Sequence, residues 1–473
     1  MTRTLRQQKS QAGRPWNSGQ NGAVAATLRR VQIGNALSAF GSGFTVPYMF
    51  VYVDQVRGLG SMTAWLMFTV FALAALAVLP FSGRGIDRWG PRPVLVVGAV
   101  TAALGAFAFG HATGSPHILA AAFLFGAGVT TVQPALATMI VRCSTPATRS
   151  HAFALQFTLV NLGMGIGAMI GGQIVDVNRP SSLTLLFSIE GLMFLVLAAV
   201  VGSVRIPAAG FAPVPAKAQA KAQAKGQTQV EASARTGSAP AGSGSGFRAL
   251  FADKAMIRVC LLAGLIFFTC YGQFESGVAA YATTVVGTSP SVLGLALGAN
   301  TLVIVLVQMI VVRITARRRR SAAIAGTGLV WLAAWVMAAV AGLIHADAVA
   351  ATVAMVSVYA LFGIGEALLA PTLGPIIADL APARQLGTYN AAFALVKQVA
   401  VAMGPAAGVL LVGAGASAAY LLVMAGCTVL IVVMALRLRH RLTPLQDNAV
   451  HPERIVAGSE GAPRPVPAYQ PAA

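Results

Sequence analysis

Runs of about 20 apolar residues recur along most of this chain, and that is the length an α-helix needs to cross the hydrocarbon core of a bilayer. We place twelve such spans, at 31–53, 62–82, 94–112, 116–141, 152–175, 182–204, 256–285, 291–312, 321–344, 348–378, 388–412 and 416–438. A water-soluble core has no use for so many long runs. Only 10% of the residues are charged, where a soluble domain carries roughly 25%. The expected fold class is an all-α membrane protein of twelve transmembrane helices.

The net charge of +20 would suggest nucleic acid in a soluble protein, but here its placement gives a different reading. Counted on alternate loops, 30 of the 33 lysines and arginines fall on one side; Arg57 and Arg179 fall on the other, and Lys397 lies inside a span. The positive-inside rule then predicts that both termini and the central loop are cytoplasmic, in a multi-pass protein of the plasma or inner membrane. The first apolar run, from Val31, follows a basic tail and lacks a cleavage site, so we expect an uncleaved first helix. Cys143, Cys260, Cys270 and Cys427 are scattered without metal-ligand spacing, and neither a metal nor a cofactor is expected.

The chain divides into a tail (1–30), a six-helix bundle (31–204), a linker (205–255), a second six-helix bundle (256–438) and a second tail (439–473). The linker contains AKAQAKAQAKGQ and GSAPAGSGSG, a composition that stays solvated. A faint repeat relates the bundles: Pro134, Pro146, Phe157 and Asn161 recur as Pro371, Pro382, Phe393 and Lys397 at an offset of 236 to 237. Duplicated halves suit a transporter that rocks about a central site.

After the second span the chain reads Gly83-Arg-Gly-Ile-Asp87-Arg88-Trp-Gly90-Pro-Arg92-Pro. Read physically, this is a glycine-permitted tight turn holding one acid among three cations, able to dock the ends of neighbouring helices. It resembles the signature loop of the major facilitator superfamily, G-x-x-x-D-R-x-G-R-R/K, with Pro91 where that family often has a basic residue. The resemblance covers about 31 to 438. It implies the major facilitator fold of two pseudo-symmetric six-helix bundles, with Gly83, Asp87, Arg88, Gly90 and Arg92 forming a conformational latch between the halves.

In the fifth span, Gly163, Gly167 and Gly171 recur every four residues, with Gly172 adjacent, and such spacing lets helices pack closely and slide. The stretch is similar to the G-x-x-x-G-P-x-x-G-G of drug–proton antiporters in that superfamily, with Ala168 in place of the proline. The eleventh span carries Gly404, Pro405 and Gly408. The arginine that many such antiporters hold in the fourth helix is missing here, where Gly126 to Pro134 offers only neutral polar groups.

Charges inside a bilayer cost roughly 2.5–3.5 kcal/mol on insertion scales, so each calls for a partner or a purpose. Glu275, Glu366 and Lys397 are the candidates for proton coupling. For Glu366 and Lys397 two readings stand side by side: a structural ion pair, or a carboxylate that exchanges a proton. Glu275 has no cation evident in the sequence and is the leading coupling candidate, with Tyr271 one turn before it. Glu190 is expected to snorkel or to pack within its own half. Asp54 and Asp176 sit at outer helix ends within reach of solvent, with Asp379 as their cytoplasmic counterpart.

Asn35, Ser38, Ser42, Thr45 and Tyr48 from the first helix, Gln156 and Asn161 from the fifth, and Tyr271 and Gln273 from the seventh are candidates to line a largely apolar cavity. That lining suits lipophilic or weakly polar compounds. The function expected is alternating-access transport, with proton-coupled export of small lipophilic or cationic compounds leading. Proton-coupled uptake of a small nutrient is the alternative, and a non-transporting sensor a distant one. No nucleophile–base constellation or Walker loop is present, so no enzyme is expected. The expected partners are a small-molecule substrate, protons and the lipid bilayer, with no nucleic acid and a monomeric state.

Overall fold

The computed structural model describes residues 18–176, 179–204, 250, 253–274 and 276–448. Among them, twelve helices are long and apolar enough to cross a membrane. In chain order they are α1 (Ser18–Thr45), α2 (Gly60–Trp89), α3 (Pro91–His111), α4 (Ser115–Arg142), α5 (Pro146–Ile174) and α6 (Pro180–Ser203). The second set is α7 (Lys254–Thr269, Tyr271–Phe274 and Gly277–Thr284), α8 (Pro290–Thr315), α9 (Arg320–Leu343), α10 (Ala348–Leu369 and Leu373–Leu380), α11 (Leu386–Gly413) and α12 (Ser417–Leu438). A short α13 (Pro444–Asp447) follows. The fold class read from the sequence therefore holds.

The ends follow from local chemistry. Proline opens α3, α5 and α6, where its missing N–H costs nothing. Thr145 and Thr148 form a reciprocal capping box at the start of α5, while the carboxylates of Asp253 and Asp347 cap α7 and α10. Proline also interrupts: α1 passes into a 3-10 turn over Val46–Tyr48 that contains Pro47, and α10 breaks beside Pro371.

Two boundaries differ from expectation. Helix α1 begins at Ser18, inside the segment read as a tail. Helix α2 continues to Trp89, so Gly83 to Trp89 is its last turns and not a loop. The turn is confined to Gly90, whose φ of +89° only glycine adopts freely, and which joins α2 directly to α3. The linker read at 205–255 and most of the tail from 439 lie outside the described residues; residues 250, 253–255 and 439–448 are described.

Each half has its own hydrophobic core: one gathers buried residues from Val31 to Val204, the other from Leu250 to Leu442. The halves meet along α2 with α11, where Ala75 and Leu79 bury against Ala394, along α5 with α8, and at the end of α4, where Val141 buries against Ala378 of α10 and Leu386 of α11. With an even number of crossings, both described ends lie on one side, called here the terminal face.

A gated path between two halves

Inside each half, glycine sets how closely the path-lining helices approach. A Cβ on Gly163 or Gly167 would strike the α1 backbone at Ala36 or Phe40, and one on Gly171 would press on Phe44. Gly172 faces the Tyr48 hydroxyl. In the second half, Gly404 lies against the backbone of Gly272, and Gly408 against Gly277 and Gln273. Gly167 and Gly404 occupy equivalent places in the repeat, as do Gly171 and Gly408. The α1–α5 and α7–α11 crossings are therefore the same seam built twice.

At the terminal face the last turn of α2 meets the first turn of α11. The Asp87 carboxylate accepts from the backbone N–H of Gly387 at 2.6 Å and of Thr388 at 2.9 Å, and from the Thr388 hydroxyl at 2.5 Å. Those N–H groups are among the donors a helix start leaves unpaired, and the positive end of the helix dipole favours an anion there. The approach depends on small residues: a Cβ on Gly83 would sit 2.8 Å from the Ala391 Cβ, and one on Gly387 2.5 Å from the Ile86 Cβ. The other residues of the expected latch stay in their own half. Arg88 is exposed over the Trp89 ring, and Arg92 donates to the carbonyls of Val201 and Gly202 at the end of α6.

A second tie crosses the same face. Asp379, near the end of α10, pairs with Arg149 from the first turns of α5 and with Arg320 at 2.6 Å from the start of α9. Arg320 also donates to the Gln446 carbonyl at 2.9 Å and the Ser150 hydroxyl at 3.4 Å. Asp379 is thus enclosed by two guanidinium groups, not placed at a solvated helix end as its sequence position suggests. Close by, Asn390 of α11 donates to Thr138 of α4 at 3.3 Å. Among the described residues, the side-chain hydrogen bonds that join the halves cluster at this end, so the halves are tied together on the terminal face.

Deeper in the second half, Gly363 and Gly365 bring α8 and α9 onto α10, because a Cβ at either would collide with Asn300 or Trp331. Asn300 is thereby placed to donate to Glu366 Oε1 at 3.0 Å. Tyr271 and Lys397 also act on this carboxylate. The Lys397 ammonium lies 5.3 Å from the Phe267 ring centre and 5.9 Å from that of Tyr271. The ion pairs found among the described residues are Arg149–Asp379, Arg320–Asp379 and Arg179–Asp176. Glu366 and Lys397 therefore attract one another without direct contact, and Glu366 is held by an amide instead. Glu275 lies outside the described residues.

The polar residues expected to line a cavity separate into two groups. Ser42, Tyr48, Asn161 and Tyr271 are half-buried, and Asn161 donates back to the Phe157 carbonyl. Gln156 is buried, with neither its amide nitrogen nor its oxygen partnered. Asn35 and Ser38 are buried in α1, where Ser38 donates to the Asn35 carbonyl. Gln273 is a correction: it is fully buried, donates to the Gly404 and Phe268 carbonyls and accepts from Tyr420, so it ties α7, α11 and α12 together. Thr45 is another, since its hydroxyl is spent on Glu190 at 2.6 Å.

The described residues thus form two helical halves with separate cores, glycine-lined helix crossings in each and a cluster of polar ties between them on one face. Comparison with known proteins specifies the class. The family model described as Major Facilitator Superfamily matches residues 32–351 and 276–466; the chain belongs to that superfamily and is a membrane transporter, not an enzyme. Multidrug resistance protein 1 of Bacillus subtilis is 26% identical over 149 residues, 31% of this chain and 38% of that protein. Quinolone resistance protein NorA of Staphylococcus aureus is 23% identical over 139 residues, 29% of this chain and 36% of that one. The matched stretch thus spans well under half the length of either relative. Among solved structures, the E. coli fucose:proton symporter aligns with a TM-score of 0.66 at 14% identity, covering 88% of this chain and 99% of that one. A bacterial homologue of ferroportin in an outward-facing state aligns at 0.67 and 13%, covering 87% and 99%. At such identities these two speak for the fold alone.

Proposed function

We propose that this chain is a monomeric, proton-coupled exporter of small lipophilic or cationic compounds, with both termini in the cytoplasm. The observation that carries the reading is Glu366, a carboxylate buried in an apolar half and held by the neutral Asn300 amide, with Lys397 nearby but not bonded to it. Such a group can take up and release a proton as access alternates, and a bound cation would compete with Lys397 and the proton for it. Glu275, the leading candidate from the sequence, remains the companion candidate. The drug-resistance names of the two partial relatives favour export.

The basic bias of the terminal face supports placing it in the cytoplasm. Its closure by Asp87 and Asp379, between the halves 31–204 and 256–438, then corresponds to an outward-facing state. Turnover requires those ties to break and re-form, so the energy that opens them has to come from substrate or proton binding.

The test uses inside-out vesicles energised with a proton gradient and supplied with a panel of lipophilic cations. Export by antiport predicts that adding a substrate causes proton efflux. Uptake by symport predicts proton movement of the opposite sign, and the absence of any substrate-dependent pH change would remove coupling from the reading. Glu366→Gln and Glu275→Gln, each with expression confirmed, report which carboxylate carries the proton.

A further inference from the structure

The first half holds a carboxylate that the path and the gate leave unused. Glu190, on α6, is completely buried. Gly41 lets α1 lie against its backbone, where a Cβ would come within 3.0 Å of the Glu190 Cα, and Gly191 lets the Phe107 ring of α3 close over the next turn. One carboxyl oxygen accepts from the Thr45 hydroxyl at 2.6 Å, and the other has no hydrogen-bond partner. Ser42, one turn before Thr45 and half-buried, is the other hydroxyl that acts on it.

Among the described residues, no cation pairs with it. The titratable groups on the facing elements are spent at the outer end: Tyr52 donates to the Gly110 carbonyl at 2.7 Å, and Arg57 donates to the Tyr52 hydroxyl and to the same carbonyl. His111 is bonded to the Phe107 carbonyl at 2.8 Å, and Tyr48 lies beside Gly172. A carboxylate sealed in an apolar slot, with neutral hydroxyls as its donors and an orphaned oxygen, is costly to keep ionised, and a proton on that oxygen removes the cost.

Thr45 is no ordinary neighbour. It is the last residue of α1 before the 3-10 turn over Val46–Tyr48, where the first helix bends beside Pro47. Its hydroxyl has a second acceptor in reach, the Ser42 carbonyl at 3.4 Å. We propose that Glu190 is a second proton-binding site, in the half opposite Glu366, and that Thr45 transmits its state to the bend in α1. With Glu190 ionised, the charge-assisted bond pins the bend against α6. With Glu190 protonated, the bond weakens and Thr45 turns to Ser42, freeing the outer part of α1 to move.

Its role in transport rests on the proton-coupled reading above, but proton binding can be measured without substrate. The test is infrared difference spectroscopy of the purified full chain in lipid, stepped through pH. The wild type loses a protonated-carboxyl band that is absent in Glu190→Gln and retained in Glu366→Gln. Thr45→Val keeps the band but holds the proton about tenfold more tightly, because the ionised form loses its donor. If Glu190→Gln fails to fold, Thr45→Val decides alone: an unmoved midpoint overturns the proposal, and a moved one sustains it. A carboxyl band that never titrates, or a full set of titrating bands in Glu190→Gln, also overturns it. Failure of substrate-driven proton movement in vesicles would sink the exporter reading and leave this result standing.

Discussion

Asp379 of α10 grips Arg149 of α5 across the boundary between the halves, and the same carboxylate takes a second guanidinium, Arg320, from its own half. Two cations that would repel each other are thereby held side by side by one acid, which couples closure of the terminal face to the start of α9.

Removing that acid should open the face. Asp379→Asn leaves two mostly buried guanidinium groups facing one another, a loss of about 3–5 kcal/mol where a buried pair is broken. We expect spin-label distances between the terminal faces of the two halves to lengthen. Arg149→Gln, which removes one repelling cation as well, should show a smaller change. Equal distances in Asp379→Asn and wild type would show that the triad does not hold the gate.

Asp87→Asn keeps the shape but removes the charge from the start of α11. A charge at a helix N-terminus is worth about 0.3–1 kcal/mol when exposed and up to about 2 when partly buried. The ratio of closed to open molecules should fall by a factor of about 2 to 30, read by single-molecule FRET between the halves. Arg88→Gln, whose side chain points to solvent, should leave that population unchanged.

The glycine seams should tolerate nothing larger. Gly404→Ala puts a methyl into the backbone of Gly272 and should destabilise the protein by about 1–3 kcal/mol, seen as a lower Tm in detergent. Gly426→Ala, in α12, meets nothing within 4 Å and should match or exceed the wild type.

Glu366→Gln preserves an acceptor for Asn300, so expression and substrate binding should survive while gradient-driven transport is lost. Substrate exchange with no gradient should persist. Loss of exchange as well would recast Glu366 as a packing residue.

The spans were legible because a bilayer imposes length and apolarity on each crossing separately, and every expected span has its helix. Asp87 was legible too, as a lone acid in a basic stretch following an apolar run. What escaped was pairing over distance. Arg149 and Asp379 lie 230 residues apart, and nothing local marks them beyond the scarcity of acids, 13 in the whole chain. Gln273 misled because an amide among apolar residues looks the same whether it lines a cavity or ties three helices. Gly83 misled in another way: its glycine serves close approach to Ala391, not a turn, so the helix ran through it.

Helix α11 carries the Asp87-bound turn at one end, Lys397 part-way along, and the Gly404 crossing beside Pro405 further on. Were the helix to tilt about that crossing, it would act as a lever. Seventeen residues separate Gly387 from Gly404, an arm of about 25 Å at 1.5 Å per residue, and Lys397 stands about 10 Å from the pivot. A tilt of about 10° would carry the gate end about 4 Å, enough to part all three bonds to Asp87, while moving Lys397 less than half as far. A small displacement at the charged centre would thus be geared up into the stroke that opens the door.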